Sequence, residues 1–121
     1  MKHLRRLTVD QLVDRFADIG VAQDKATLAD DIALFNRLFA QMEAVEAELK
    51  ARGGDQRRAL LRLFHHPNMQ VRLTAAKATL AVAPDAARRM LREIADSGWG
   101  PQAGDAGMSL WNLEQGIFKP T

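Results

Sequence analysis

The stretch His66–Val82, HPNMQVRLTAAKATLAV, constrains the fold more than any other part of the chain. Val71, Ala75, Ala78 and Val82 recur at helical spacing and form one apolar row. Leu73, Ala76 and Leu80 form a second row beside it, which leaves Gln70, Thr74 and Lys77 as a narrow polar stripe. A helix apolar around most of its circumference is covered by neighbours on several sides. Its many alanines require those neighbours to come close. Asn68 is a good N-cap, and Pro67 ahead of it discourages the preceding helix from running on.

The flanking segments are helical too. Thr8 and Gln11 have the spacing of a capping box, with Leu7 and Leu12 placed as a hydrophobic staple. Val9, Leu12, Phe16 and Ile19 then give an apolar stripe, while Asp10, Asp14 and Asp18 occupy another face. Gly20 and Gln23-Asp24-Lys25 weaken the pattern, so a turn or kink is expected between Gln23 and Asp31. A second helix runs from Leu28 to Arg52 on Leu28, Ile32, Phe35, Leu38, Phe39, Met42, Val45 and Leu49. Gly53-Gly54 ends it, and Asp55 caps a third helix carrying Leu60, Leu61, Leu63 and Phe64. Pro84 opens the fifth helix, Gly98–Pro101 is a turn, and the sixth spans about Gln102 to Gln115. Ile117 and Phe118 should pin the tail to the body. No segment alternates like a strand.

At 121 residues the chain reads as one all-α domain of about six helices. A long N-terminal hairpin covers about 8–52, two further hairpins cover 55–83 and 84–116, and a tail covers 117–121. There is no cysteine, hence no disulfide and no thiolate chemistry, and a reducing interior suits the chain. The opening MKHLRRLT lacks the apolar run of a signal peptide, and no stretch reaches membrane-spanning length. A cytoplasmic protein without a membrane partner is expected. Net charge is only +2, divided as −1 through Arg52 and +3 after it, which does not by itself imply a polyanion partner.

Sliding the chain by 31 residues lays Arg57-Arg58 on Arg88-Arg89, Leu60 on Leu91 and Leu63 on Ile94. The same shift lays Ala75-Ala76 on Ala106-Gly107 and Leu80 on Trp111, so helices three and four recur as five and six. The run His66-Pro67-Asn68-Met69-Gln70-Val71-Arg72, followed by Ala75-Ala76 and Leu80, resembles the second helix of a HEAT-type or armadillo-like repeat. That pattern reads roughly D-P-x-x-x-V-R-x-x-A-A-x-x-x-L, and its usual acidic position is His66 here. The whole chain also resembles a small bacterial family of helical-repeat proteins with no assigned activity. The resemblance implies a short right-handed α-α superhelix used as a binding surface, and no particular chemistry.

Several side chains are candidates for contact with a partner. Arg72 lies in the apolar sector of the central helix, where an unpaired charge is costly. Either its guanidinium satisfies a carboxylate such as Asp105 or nearby carbonyls, or it protrudes to clamp a ligand carboxylate. Arg57, Arg58, Arg62, Arg88, Arg89 and Arg92 suggest a basic ridge of the kind that binds nucleic acid. Against that reading, the second hairpin mixes signs, with Arg89/Glu93 and Arg92/Asp96 spaced as helical ion pairs. The acidic row of the first helix is either a solvated face or a docking surface for a basic protein. Lys77 stands on the polar stripe of the central helix. Trp99, between glycines, is the aromatic expected to be exposed, whereas Trp111 is expected in the core. His65-His66 lack a completing ligand set and suit a helix C-terminus better than a metal. Neither a phosphate-loop glycine pattern, a nucleophile elbow nor an HExxH motif is present.

The reading favoured is a non-enzymatic module, an adaptor or partner-neutralising protein, that binds another protein through the shallow groove lined by its second helices. It needs no cofactor and no metal. The alternative is a nucleic-acid-binding repeat protein that uses the arginine-rich face.

Overall fold

The computed structural model describes residues 2–121. A 3-10 turn, Lys2–Arg6, leads into α1 (Val9–Leu28) and α2 (Ile32–Ala51). A 3-10 helix, Gln56–His65, then precedes α3 (Met69–Ala78), α4 (Pro84–Asp96) and α5 (Gln102–Glu114). The described residues contain no strand, and the chain is all-α.

The capping box forms as its spacing demands. Thr8 N–H donates to Gln11 Oε1 at 2.8 Å, and Gln11 N–H returns to Thr8 Oγ1 at 3.0 Å. From there α1 runs without a break through Gly20, so that residue is not a kink. Its role is contact: a Cβ at position 20 would stand 2.9 Å from Val71 Cγ2 and 3.2 Å from Val71 Cα. The glycine lets α1 lie against the backbone of α3. The turn comes at Ala29–Asp31, within the stretch Gln23–Asp31 where it is expected. Asp30 adopts φ 54°, and the Asp31 carboxylate accepts the Leu34 N–H at 3.1 Å to start α2. Leu28 therefore ends α1 instead of opening α2, and it is 82% exposed.

The third helix departs from the expected α-form. Its buried positions are Arg57, Leu60 and Leu63, three residues apart. A 3-10 helix turns once in three residues, so these side chains stack in a single line toward the core. Leu61 and Phe64 are left half-buried on its flank. The apolar pattern alone does not distinguish the two windings.

The central helix is shorter than the apolar run suggested. It stops at Ala78, where Thr79, fully buried, turns its hydroxyl back to the Ala75 carbonyl at 2.9 Å. Val82 lies beyond it in the following turn and is half-buried. The two apolar rows separate as read. Val71, Ala75 and Ala78 belong to a core shared with α1, α2 and the 3-10 helix. Leu73, Ala76 and Leu80 belong to a second core shared with α4 and α5. The helix α3 is the wall between the two cores, and it contacts α1, the 3-10 helix, α4 and α5.

Pairs related by the 31-residue shift are buried alike through most of the unit: Leu60 with Leu91, Leu63 with Ile94, Ala75 with Ala106. The match fails at the far side of α5. Leu80 is 4% exposed because α4 and α5 cover it, but Trp111 is 51% exposed. Among the described residues nothing covers the outer face of α5, so Trp111 is not a core residue. After α5 the chain folds back, with the Ile117 and Phe118 N–H groups both donating to the Asn112 carbonyl. Ile117 stays exposed, while Phe118 lies beside Leu80 and Asn112.

Candidate functional site: a groove between the second helices

A groove of about 300 Å³ opens between α2 and α3. Phe35, Phe39 and Met42 of α2 form one wall, and Leu73, Lys77 and Ala78 of α3 form the other. Asp105 of α5 and Phe118 of the tail extend it. The apolar stripe of α2 is only partly core-facing. Leu38 and Met42 are buried while Phe39 is 50% exposed. The stripe is wider than the surface α1 can cover, and the surplus faces the groove.

Part of the groove floor is polar. Gln23 and Gln70 line it, although both are buried, so Gln70 does not belong to a solvated stripe. Gln70 Nε2 donates to Gln23 Oε1 at 3.1 Å, and Gln102 Nε2 donates to Gln70 Oε1 at 3.1 Å. This row of amides ties α1, α3 and α5 across both cores. Its last acceptor, Gln102 Oε1, is buried without a partner, which such rows usually avoid.

Charges rim the groove. Lys77 Nζ lies 2.9 Å from Asp105 Oδ1, which also accepts from the Ser109 hydroxyl at 3.3 Å. Asp105 therefore pairs with Lys77 and leaves Arg72 without it. On the α2 side, burial pushes the Glu46 carboxyl above the usual carboxylate range. The Arg57 guanidinium opposes that shift and Glu43 adds to it. Arg57 is itself buried, and it grips Asp55 through Nε at 2.9 Å and Nη2 at 2.7 Å. Those bonds hold the Asp55 carboxyl below its ordinary value.

The sign for Glu46 follows from its raised folded value. The ionised form costs the folded state at neutral pH, and the cost is relieved as pH falls through that value. Glu46→Gln should therefore melt above the parent chain at pH 7, with the difference closing near pH ~4, where the free side chain titrates. Thermal melts of both chains at the two pH values check this; an equal difference at both would contradict it.

The remaining sequence candidates are dispersed. Arg58 donates to the Val82 carbonyl at 2.7 Å, and Arg62 pairs with Asp10 of the acidic row. Arg92 reaches Glu114 at 3.7 Å. The expected Arg89/Glu93 and Arg92/Asp96 pairs do not form among the described residues, and Arg89 is exposed. Trp99 is 65% exposed in the turn before α5, far along the chain from the groove-lining residues of α2 and α3. Arg72 lines a separate cleft with His65 and His66. Sequence reasoning thus named Lys77 and Asp105 singly, offered Asp105 to Arg72 instead, and missed Phe35, Phe39, Glu46 and Phe118.

The fold and groove define a small all-helical protein in which one short central helix joins two cores. The family model for a domain of unknown function (DUF2019) matches residues 10–114, and the chain belongs to that family. It is similar to the crystal structure of the protein RPA1889 from Rhodopseudomonas palustris CGA009, with 58% sequence identity and a TM-score of 0.96. That likeness covers 98% of each chain. No curated protein matches the sequence. Among the described residues no helix is long and apolar enough to cross a membrane.

Proposed function

We propose that the chain is a non-enzymatic, HEAT- or armadillo-like module, a short right-handed α-α superhelix that binds another protein through the groove between α2 and α3. The exposed Phe39 carries this reading. An aromatic ring half-open to solvent between charged rims is the usual form of a binding anchor. The groove is lined by the second helices of successive hairpins, as expected of such a surface. An adaptor or partner-neutralising role in the cytoplasm fits these features.

The nucleic-acid reading has less support. Of the six arginines of the ridge, Arg57, Arg58, Arg62 and Arg92 are each engaged by an internal acceptor, which leaves the exposed Arg88 and Arg89, and a phosphate track needs more free cations.

The test is co-purification from the native host with the intact chain and with Phe39→Ala. The intact chain should retain a discrete protein partner that Phe39→Ala loses, while the variant's melting temperature falls by only a few degrees, about 1 kcal/mol. A partner kept equally by both chains would remove the groove from the reading.

A further inference from the structure

A second cleft, of about 490 Å³, lies between the turn that joins the 3-10 helix to α3 and the C-terminal half of α4. It shares no lining residue with the groove. Arg72 is half-buried on its wall. Nη1 donates to the His66 carbonyl at 2.6 Å, and Nη2 lies 3.4 Å from Met69 Sδ, a weak acceptor. Among the described residues no carboxylate lies within ion-pair distance of this guanidinium. Its remaining N–H groups have no acceptor among the described residues and are open to solvent, free to meet a ligand entering the cleft.

His66 adds a donor. Its Nδ1 accepts the Asn68 N–H at 3.0 Å, so in the neutral ring the proton sits on Nε2. The rest of the lining is largely apolar, with Phe64, Met69, Met90 and Ile94. Two methionines give that wall an adaptable shape. Glu93 stands exposed at the same cleft, also outside any ion pair among the described residues.

We propose that this cleft binds a monocarboxylate with an apolar body. Arg72 takes the carboxylate, His66 supplies a further hydrogen bond, and the methionine-lined wall covers the chain. Glu93 selects against more highly charged anions: a phosphate dianion meets like charge there and gains nothing from the apolar wall. The same chemistry is offered by a free acid and by the C-terminal carboxylate of a peptide ending in an apolar residue.

The test is a titration of the full chain followed by nitrogen–proton correlation NMR. The probes are octanoate, an acetylated Gly-Gly-Leu peptide with a free or amidated C-terminus, and inorganic phosphate. Octanoate should give saturable shifts confined to residues 64–72 and 90–97, with a dissociation constant of about 1 mM. Binding of the free-acid peptide as well names a chain terminus as a source, whereas octanoate alone names a free acid. Amidation of the peptide and Arg72→Gln should each weaken binding by about tenfold or more. Should Arg72→Gln fail to fold, the exposed Glu93→Gln should tighten octanoate binding severalfold without loss of structure. The proposal is overturned by the absence of shifts in these segments up to about 20 mM of octanoate and of free-acid peptide. It is equally overturned by phosphate binding as tightly as octanoate, or by Glu93→Gln leaving the affinity unchanged.

Discussion

Replacing Gly20 by valine should destabilise the protein by about 3 kcal/mol, a fall of roughly 10 °C in melting temperature for a chain of this size. Even the first carbon of the new side chain would stand 2.9 Å from Val71 Cγ2 and 3.2 Å from Val71 Cα. Valine is stiff at χ1 and cannot fold its methyl groups aside. The backbone of α3 cannot yield without disturbing both cores, because Val71 faces one and Leu73 the other. The helix gains intrinsic propensity when glycine is replaced, but that gain is below 1 kcal/mol. Thermal and urea unfolding of the variant measure the difference. Val71→Ala should recover part of the loss in the double variant, since it removes the nearest colliding atom. A Gly20→Val chain as stable as its parent would mean that α1 and α3 lie further apart than described.

A second large effect separates two positions that the repeat register treats as equivalent. Leu80→Ala should cost about 3 kcal/mol, because the side chain is 4% exposed within the core formed with α4 and α5. Trp111→Ala, 31 residues on, should cost less than about 1 kcal/mol despite the larger deletion, since half of that side chain already meets water. The comparison is between variants measured in the same denaturant series. Equal losses would imply that something packs on the outer face of α5.

These two predictions also mark where the chain could be read from its letters. The apolar rows of α3 were legible because they are local: spacing along one helix states which residues share a face. That two different cores take the two rows is seen only in the structure, where both rows are buried. The role of Gly20 was not legible, because a helical glycine only weakens the pattern until the partner helix is known. Its meaning lies with Val71, far along the chain. The exposure of Phe39 and Trp111 depends on how much of a stripe the neighbours cover, which no single-helix pattern contains. Gln70 looked like a surface residue because an amide is polar, yet a second and a third amide satisfy it internally. The winding of Gln56–His65 turns on the choice between bonding three and four residues back, and leucines at 60 and 63 suit either. Lys77 and Asp105 fell together because adjoining helices of neighbouring hairpins face each other at those positions.

The groove is the central claim, and site-specific photo-crosslinking tests it most directly. A benzophenone amino acid placed at position 39, on the groove wall, is compared in the native host with the same group at position 14, on the exposed acidic row of α1. A discrete covalent adduct with one protein from position 39, with none from position 14, is the expected result. Adducts of the same protein from both positions, or from position 14 alone, would contradict docking in the groove.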